Sequence, residues 1–224
     1  MRVVYCVTAD YLEKIKPSIR SLREHNPKVD ITIVTETDTT DIDANVIDIR
    51  GQEWFPPGSI NYKNPFTYIG LLKVCYQSIL PYDKVIHLDA DTIVADKLAD
   101  MWNTDLKDKW FGMVQEYRGH YKISGFSKYY NAGVMILNLK QLRKDGIQDD
   151  MVKYLNSTAQ PWCEQDAFNF YGMKENKIVD LDVRFNENVM TGFTDSPAIV
   201  HYCSIGDWWD NRNMSRWEYL SHYK

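Results

Sequence analysis

Along the first part of the chain, short apolar runs alternate with segments whose apolar residues recur at helical spacing. The runs from Val3 to Val7 and from Ile31 to Thr35 are rich in β-branched residues, which predicts two buried strands. Between them, apolar positions at helical spacing predict a helix over residues 11–26. We expect Thr8 or Asp10 to cap this helix. The order strand, helix, strand is typical of a parallel α/β sheet.

The central part of the chain repeats this alternation. Val46 to Ile49 predicts a third, shorter strand, and the turn residues within 51–65 predict an irregular loop. Phe66 to Leu80 predicts a helix that ends before Pro81, and Lys84 to Leu88 predicts the next buried strand.

The second half of the chain continues in the same way, so we expect one α/β domain over residues 1–224. Further strands are predicted at Trp110 to Val114, Val134 to Leu139, Ile178 to Val179 and Ala198 to Val200. Further helices are predicted at 98–102, at 140–155 with a break near Gly146, from Pro161 onward, and at about 214–223.

Composition narrows the class of protein. The length of 224 residues fits one domain, and the formal net charge of -5 argues against general binding to nucleic acid. No apolar run reaches the roughly 18 residues that a transmembrane helix needs, so we expect no membrane span. The 4 cysteines are widely spaced without a CxxC pair, which indicates buried thiols in a reducing compartment. We therefore expect a cytoplasmic protein.

Asp89 and Asp91 carry the strongest chemical signal. They follow the strand from Lys84 to Leu88 and are separated by one residue. Asp is common just past strand ends, where it faces water. Two inward-facing carboxylates would instead be costly without a cation. Because open α/β sheets bind ligands at the carboxyl ends of their strands, we interpret the pair as a hard-cation site completed by phosphate oxygens.

Further motifs follow in a fixed order, each at a predicted strand or helix end. They are Tyr130-Asn131-Ala132-Gly133-Val134, Glu164-Gln165-Asp166 and His201-Tyr202. With Asp89-Ala90-Asp91, they resemble the family 8 retaining glycosyltransferases, which include glycogenin and the bacterial lipopolysaccharide galactosyltransferases. The resemblance runs from Val3 to about Trp209. It implies a single GT-A-type nucleotide-sugar-binding domain with a mixed, mostly parallel sheet. The implied reaction moves a hexose from a UDP-sugar to a hydroxyl of a glycan or glycoconjugate with retention.

The resemblance also implies metal and catalytic roles. Asp89, Asp91 and His201 would hold Mn²⁺, with Mg²⁺ as the alternative ion, and this set of carboxylates and imidazole suits Mn²⁺ better than Ca²⁺. The ion would neutralise the leaving diphosphate. Gln165 would stabilise an oxocarbenium-like transition state, and Glu164 would bind sugar hydroxyls.

Donor-binding positions are likewise implied by the resemblance. In the turn after the first strand, Thr8 and Asp10 would bond the uracil edge and Tyr11 would stack on the base. The segment Asn131 to Gly133 looks like the donor-sugar loop, where a glycine lets the backbone approach a ligand. The complete donor-binding set is Thr8, Asp10, Tyr11, Tyr68, Lys73, Ala90, Asn131, Ala132, Gly133 and Asp166.

The chain departs from the family pattern at two basic positions. Gly70 stands where members usually carry Arg or Lys, and Lys73 could substitute from one helical turn further on. Asp207 stands where a lysine usually reaches the diphosphate, which is unfavourable unless another cation compensates. Arg212 or Arg216 could take that place.

Two other functions compete with glycosyl transfer. Leu88 to Thr92 also fits the DxDxT element of haloacid-dehalogenase-like Mg²⁺-dependent phosphatases, with Asp149 and Asp150 as the late acidic pair. That element normally follows the first strand, and the assignment leaves His201 without a role. A non-catalytic nucleotide-sugar-binding protein is the third possibility. The sequence leaves open the sugar, the acceptor and the oligomeric state, and the loops 51–65 and 116–128 are candidates for acceptor contacts.

Overall fold

The computed structural model describes residues 1–63, 67–116, 127–189, 194–203 and 208–224. The strands are β1 (Arg2–Cys6), β2 (Asp30–Thr35), β3 (Asn45–Asp48), β4 (Lys84–Leu88), β5 (Thr92–Val94), β6 (Phe111–Gln115), β7 (Tyr130–Asn138), β8 (Ile178–Asp180), β9 (Glu187–Asn188) and β10 (Ile199–His201). The helices are α1 (Lys16–His25), α2 (Tyr68–Leu71), α3 (Tyr76–Ile79), α4 (Ala99–Trp102), α5 (Leu139–Asp145), α6 (Gln148–Ser157), α7 (Glu164–Lys174) and α8 (Trp217–Tyr223). The 3₁₀ helices are Ala9–Tyr11, Leu72–Cys75 and Val183–Asn186.

A 7-stranded sheet forms the centre of the fold, in the order β3-β2-β1-β4-β7-β6-β8. The pairs β1–β2, β1–β4, β2–β3 and β6–β8 are parallel. Strand β7 runs antiparallel to both β4 and β6. The predicted mixed, mostly parallel sheet is therefore confirmed.

The direction of β7 explains where the Asn131 to Gly133 segment lies. Because β7 runs against β4, its first residues lie beside the carboxyl end of β4, and Leu88 pairs with Val134. The backbone N–H of Asp89 donates to the carbonyl of Gly133 at 2.7 Å. The sequence predicted a loop before a strand at Val134, which is wrong, since the strand already begins at Tyr130.

A small sheet with the order β5-β10-β9 stands beside the large one. Strand β5 is antiparallel to β10, so that Thr92 pairs with His201. Strand β10 is parallel to β9, where His201 pairs with Asn188. The N–H of Tyr202 donates to the carbonyl of Asp91 at 2.9 Å, so this sheet carries the late histidine to the acidic pair.

Two helical segments differ from their predictions. Helix α1 begins at Lys16, and neither Thr8 nor Asp10 caps it: the residue before α1 is Ile15, without a side-chain cap hydrogen bond. Pro17 in its first turn accounts for the late start, because proline suits the first turn and restricts the residue before it. The single helix predicted from Phe66 to Leu80 is divided: α2 and α3 are separated by a 3₁₀ helix, and Phe66 lies outside the described residues.

Alternate side chains of the strands enter separate apolar cores. On β1, Val4 and Cys6 face one core, whereas Val3 and Tyr5 face the other. The first core packs beneath α2, α3 and α5 to α7, and the second beneath α1 and α4. A third cluster, containing Tyr202, packs α8 onto the small sheet. In the described part of the chain, no helix is long and apolar enough to cross a membrane.

Candidate functional site

A cleft opens where β1 and β4 end, at the edge of the sheet that the sequence predicted. Most of the predicted site residues meet there. The cleft is lined by Cys6, Val7, Thr8, Tyr11, Thr67, Ile69, Gly70, Lys73, Asp89, Ala90, Asp91, Asn131, Ala132, Gly133, Trp162, Glu164, Gln165, His201 and Cys203.

Asp89, Asp91 and His201 form the acidic centre of this cleft. Each offers one ligand atom within 4.8 Å of the others, and Nε2 of His201 lies 3.2 Å from Oδ1 of Asp91. Gly133 borders this space: a Cβ there would overlap Cε1 of His201 and would lie 2.8 Å from Oδ2 of Asp89. Two carboxylates and one imidazole around a space that only glycine leaves open fit a divalent cation such as Mn²⁺.

The buried imidazole of His201 is held by an amide that the sequence did not indicate. Nδ1 of His201 lies 2.9 Å from Oδ1 of Asn186, and Nδ2 of Asn186 donates to Oδ1 of Asn131 at 2.9 Å. The amide oxygen of Asn186 accepts a hydrogen bond from the Nδ1–H of His201, so Nε2 is the nitrogen directed at Asp91. Burial lowers the pKa of His201, but Asp91 more than offsets this, so the pKa lies above its ordinary value.

Lys73 places a buried positive charge behind the acidic centre. Its Nζ donates to Oδ1 of Asp89 at 2.7 Å and to Oε1 of Glu164 at 2.9 Å. Burial lowers the pKa of Lys73, but the two carboxylates raise it well above its ordinary value. A Cβ at Gly70 would lie 3.6 Å from Oε2 of Glu164. Lys73 therefore supplies a cation next to the position where the family usually has one.

His87 and Tyr76 extend this network into the core. Nε2 of His87 lies 2.9 Å from Oδ1 of Asp89, and its Nδ1 lies 2.9 Å from the hydroxyl of Tyr76. Burial, assisted by Lys73, lowers the pKa of His87. Burial raises the pKa of Asp89, but Lys73 and His87 hold it well below its ordinary range. The sequence signal for His87 was a polar residue within an apolar strand.

The first turn of α7 forms the opposite wall of the cleft. The N–H of Ala132 donates to Oε1 of Gln165 at 2.8 Å. Asn169, one turn further, accepts from the N–H of Tyr130 at 2.7 Å and donates to the carbonyls of Tyr130 and Gln165 at 2.8 Å. These bonds attach the start of α7 to β7, which fixes the carboxylate of Glu164 and the amide of Gln165 toward the cleft.

Some predicted donor-binding residues lie outside the lining of the cleft. Asp10 is exposed, while the hydroxyl of Tyr68 donates to Glu36. Asp166 is buried and accepts the backbone N–H of Trp162 at 2.8 Å. The sequence could not separate Asp166 from Gln165, because successive residues at the start of a helix point in different directions.

The basic residues expected near the diphosphate do not face the described cleft. Nε of Arg216 donates to Oε1 of the buried Glu187 at 2.7 Å, and its Nη2 donates to the carbonyl of Thr194. Arg212 is exposed. Asp207 lies outside the described residues, as does most of the candidate acceptor loop 116–128.

The chain matches a known protein family and several known proteins. The model of the family "Glycosyl transferase family 8" matches residues 2–212. Over 152 residues the chain is 26% identical to the glycosyltransferase GlyA of Streptococcus pneumoniae, covering 64% of this chain and 22% of that protein. Over 179 residues it is 24% identical to a putative glycosyltransferase of Haemophilus influenzae, covering 70% of this chain and 52% of that protein. The chain therefore spans only part of these relatives.

Solved structures share the fold. The galactosyltransferase LgtC, crystallised with donor and acceptor sugar analogs, superposes with a TM-score of 0.76 at 22% identity, covering 100% of this chain and 95% of that one. The glycosyltransferase GlyE of S. pneumoniae gives a TM-score of 0.73 at 18% identity, covering 99% of this chain and 59% of that one. The shared architecture is of the GT-A type. Since the family model matches nearly the whole chain on this fold, the chain belongs to glycosyl transferase family 8.

Proposed function

We propose that this chain is a metal-dependent retaining glycosyltransferase that moves a hexose from a UDP-sugar to an acceptor hydroxyl on a glycan or glycoconjugate. The observation that carries the proposal is the meeting of Asp89, Asp91 and His201 opposite Glu164 and Gln165 in one cleft. Residues 1–224 would act as one catalytic domain.

The charge of the cleft supports a divalent cation. Among the described residues that line it, three carboxylates face a single lysine, which leaves an excess of two negative charges. A diphosphate could not enter such a site without a compensating cation. Asp89, Asp91 and His201 would hold Mn²⁺, or Mg²⁺ as the alternative. When bound, the ion neutralises charge that develops on the leaving diphosphate.

Of the other residues that line the cleft, some would contact the uracil base of the donor and others its sugar. Thr8 and Tyr11 lie just past the carboxyl end of β1, where a polar side chain and an aromatic ring suit a uracil edge and its face. Oε1 of Glu164 is taken by Lys73, which leaves its Oε2 to accept a sugar hydroxyl. Ala132 holds the side-chain amide of Gln165 in the wall of the cleft, where this amide would position the reacting centre.

The donor can be identified by a thermal-shift and UDP-release screen of nucleotide sugars with Mn²⁺. A true donor raises the melting temperature, because it binds the folded state only, and it releases UDP slowly in the absence of an acceptor. Asp91→Asn is the matched control and should abolish both signals. Binding of UDP-sugars without release would indicate the non-catalytic alternative.

The phosphatase alternative gains no support from the geometry. Asp149 and Asp150 are exposed in the first turn of α6 and do not line the cleft. Mg²⁺-dependent hydrolysis of p-nitrophenyl phosphate that requires Asp89 would nevertheless overturn the assignment to glycosyl transfer.

A further inference from the structure

His87 lies between the core and the acidic centre of the cleft. The alternation of β4 turns Val85 and His87 toward the face of the sheet that α3 covers, and the His87 ring packs 5.7 Å from the ring of Tyr76. The side chain of His87 is completely buried. A buried polar ring inside an apolar core carries a desolvation cost unless both nitrogens have partners.

The partners of His87 determine its tautomer. The carboxylate of Asp89 can only accept a hydrogen bond, so the proton of the neutral ring lies on Nε2. Nδ1 then carries a lone pair, which accepts a hydrogen bond from the Tyr76 hydroxyl. The order of donation therefore runs from Tyr76 through His87 to Asp89.

The hydrogen-bond donors to Asp89 determine which of its two oxygens faces the cleft. Oδ1 receives both Nε2 of His87 at 2.9 Å and Nζ of Lys73 at 2.7 Å. Oδ2 lies on the other side: the position of a Cβ at Gly133 is 2.8 Å from Oδ2 and 2.8 Å from Nε2 of His201. With Oδ1 occupied by two donors, Oδ2 is the oxygen left for a cation.

We infer that His87, held by Tyr76, is a positioning residue that fixes Asp89 with Oδ2 directed at the metal position. This inference rests on the proposed metal-dependent function. Hydrogen-bond partners behind carboxylate and imidazole ligands typically set metal affinity by about 10- to 100-fold. Lys73 cannot replace His87 in this role, because its flexible ammonium is shared with Glu164.

The test replaces His87 by glutamine or asparagine. Each of these amide side chains can make the hydrogen bond of only one of the two ring nitrogens. In His87→Gln the side-chain N–H₂ can reach Asp89, as Nε2 does. In His87→Asn the shorter amide can meet only Tyr76. Mn²⁺ binding is titrated calorimetrically on the full chain, and thermal unfolding is recorded without metal. We expect His87→Asn to weaken Mn²⁺ binding by about 10-fold or more, and His87→Gln to restore it to within about 3-fold of the wild type.

The outcomes separate positioning from a merely structural role. Equal Mn²⁺ affinity in His87→Asn and the wild type, or equal losses in both amide variants, would overturn the inference while leaving the metal site intact. Absence of Mn²⁺ binding in the wild type would overturn the proposed metal site as well. Tyr76→Phe provides a second variant if the His87 substitutions do not fold: weaker Mn²⁺ binding supports the inference, and unchanged binding contradicts it.

Discussion

Gly133 on β7 lies directly against the imidazole of His201. A Cβ at this position would overlap Cε1 of His201 and would lie 2.8 Å from its Nε2 and from Oδ2 of Asp89. Both neighbours are held from behind, His201 by Asn186 and Asp89 by His87 and Lys73, so neither can move away without breaking these contacts. The close approach of β7 is thus a condition for the space between Asp89, Asp91 and His201.

Substitution of this glycine should destroy the metal site. We expect Gly133→Ala to weaken Mn²⁺ binding by at least about 10-fold and to lower the free energy of unfolding by about 1–3 kcal/mol through overpacking. Calorimetric titration and urea unfolding measure the two effects. Gly70→Ala is the matched control, because its Cβ would meet nothing closer than 3.6 Å. Mn²⁺ binding at wild-type affinity in Gly133→Ala would contradict the assignment.

The two aspartates should differ in their effect on stability. Asp89→Asn and Asp91→Asn should both abolish Mn²⁺-dependent UDP release. Asp89→Asn should also destabilise the fold, by about 1–3 kcal/mol and more than Asp91→Asn does, since it removes one charged partner of the buried Lys73. Urea unfolding without metal makes this comparison. Full activity in either variant would remove that carboxylate from the site.

Removal of the buried Lys73 should lower the free energy of unfolding more than removal of an exposed lysine. In Lys73→Met, Asp89 and Glu164 lose their shared cation in a desolvated position, so we expect a loss of about 3–5 kcal/mol in the free energy of unfolding. Lys128→Met makes the same change in the exposed pair with Asp180 and should cost less than about 1 kcal/mol. Equal losses in the two variants would show that Lys73 is not required for the stability of this network.

Gln165 should contribute to the reaction rate and not to nucleotide affinity. Its amide is held in the wall of the cleft by Ala132. We expect Gln165→Ala to lower kcat by about 100-fold, the effect typical of a lost transition-state hydrogen bond, while the Kd for UDP stays the same. Steady-state kinetics and UDP titration separate the two quantities. An unchanged kcat would exclude Gln165 from the transition-state role.

The thiols that line the cleft should react unequally. Burial raises the pKa of Cys6 to about 12, so at pH 8 its thiol stays protonated and is a poor nucleophile. Cys203 is partly exposed in the same cleft. We expect iodoacetamide to label Cys203 well before Cys6, and UDP with Mn²⁺ to slow this labelling, as peptide mass spectrometry would show. Labelling of Cys6 first would contradict this order.

The local pattern of the sequence determined much of the architecture. The β-branched runs correctly predicted β1, β2 and β4, because a fully buried strand needs a continuous apolar segment. The acidic pair after β4 and the histidine at the end of β10 could likewise be recognised in the sequence as candidate site residues. Each stands where an apolar run stops at a polar residue, and ligand-binding groups of open sheets occupy such positions.

The tertiary structure decided what these residues contact. Nothing near His201 in the chain indicates that β10 pairs with β5, and Asn186 shows no local signal for holding its imidazole. The role of Gly133 follows from the antiparallel register of β7 against β4. Strand pairing and register depend on contacts between segments distant in the chain, which a local pattern does not encode. The sequence by itself therefore determined most of the candidate residues that meet in the cleft. Only the fold determined which oxygen, nitrogen and glycine shape the space between them.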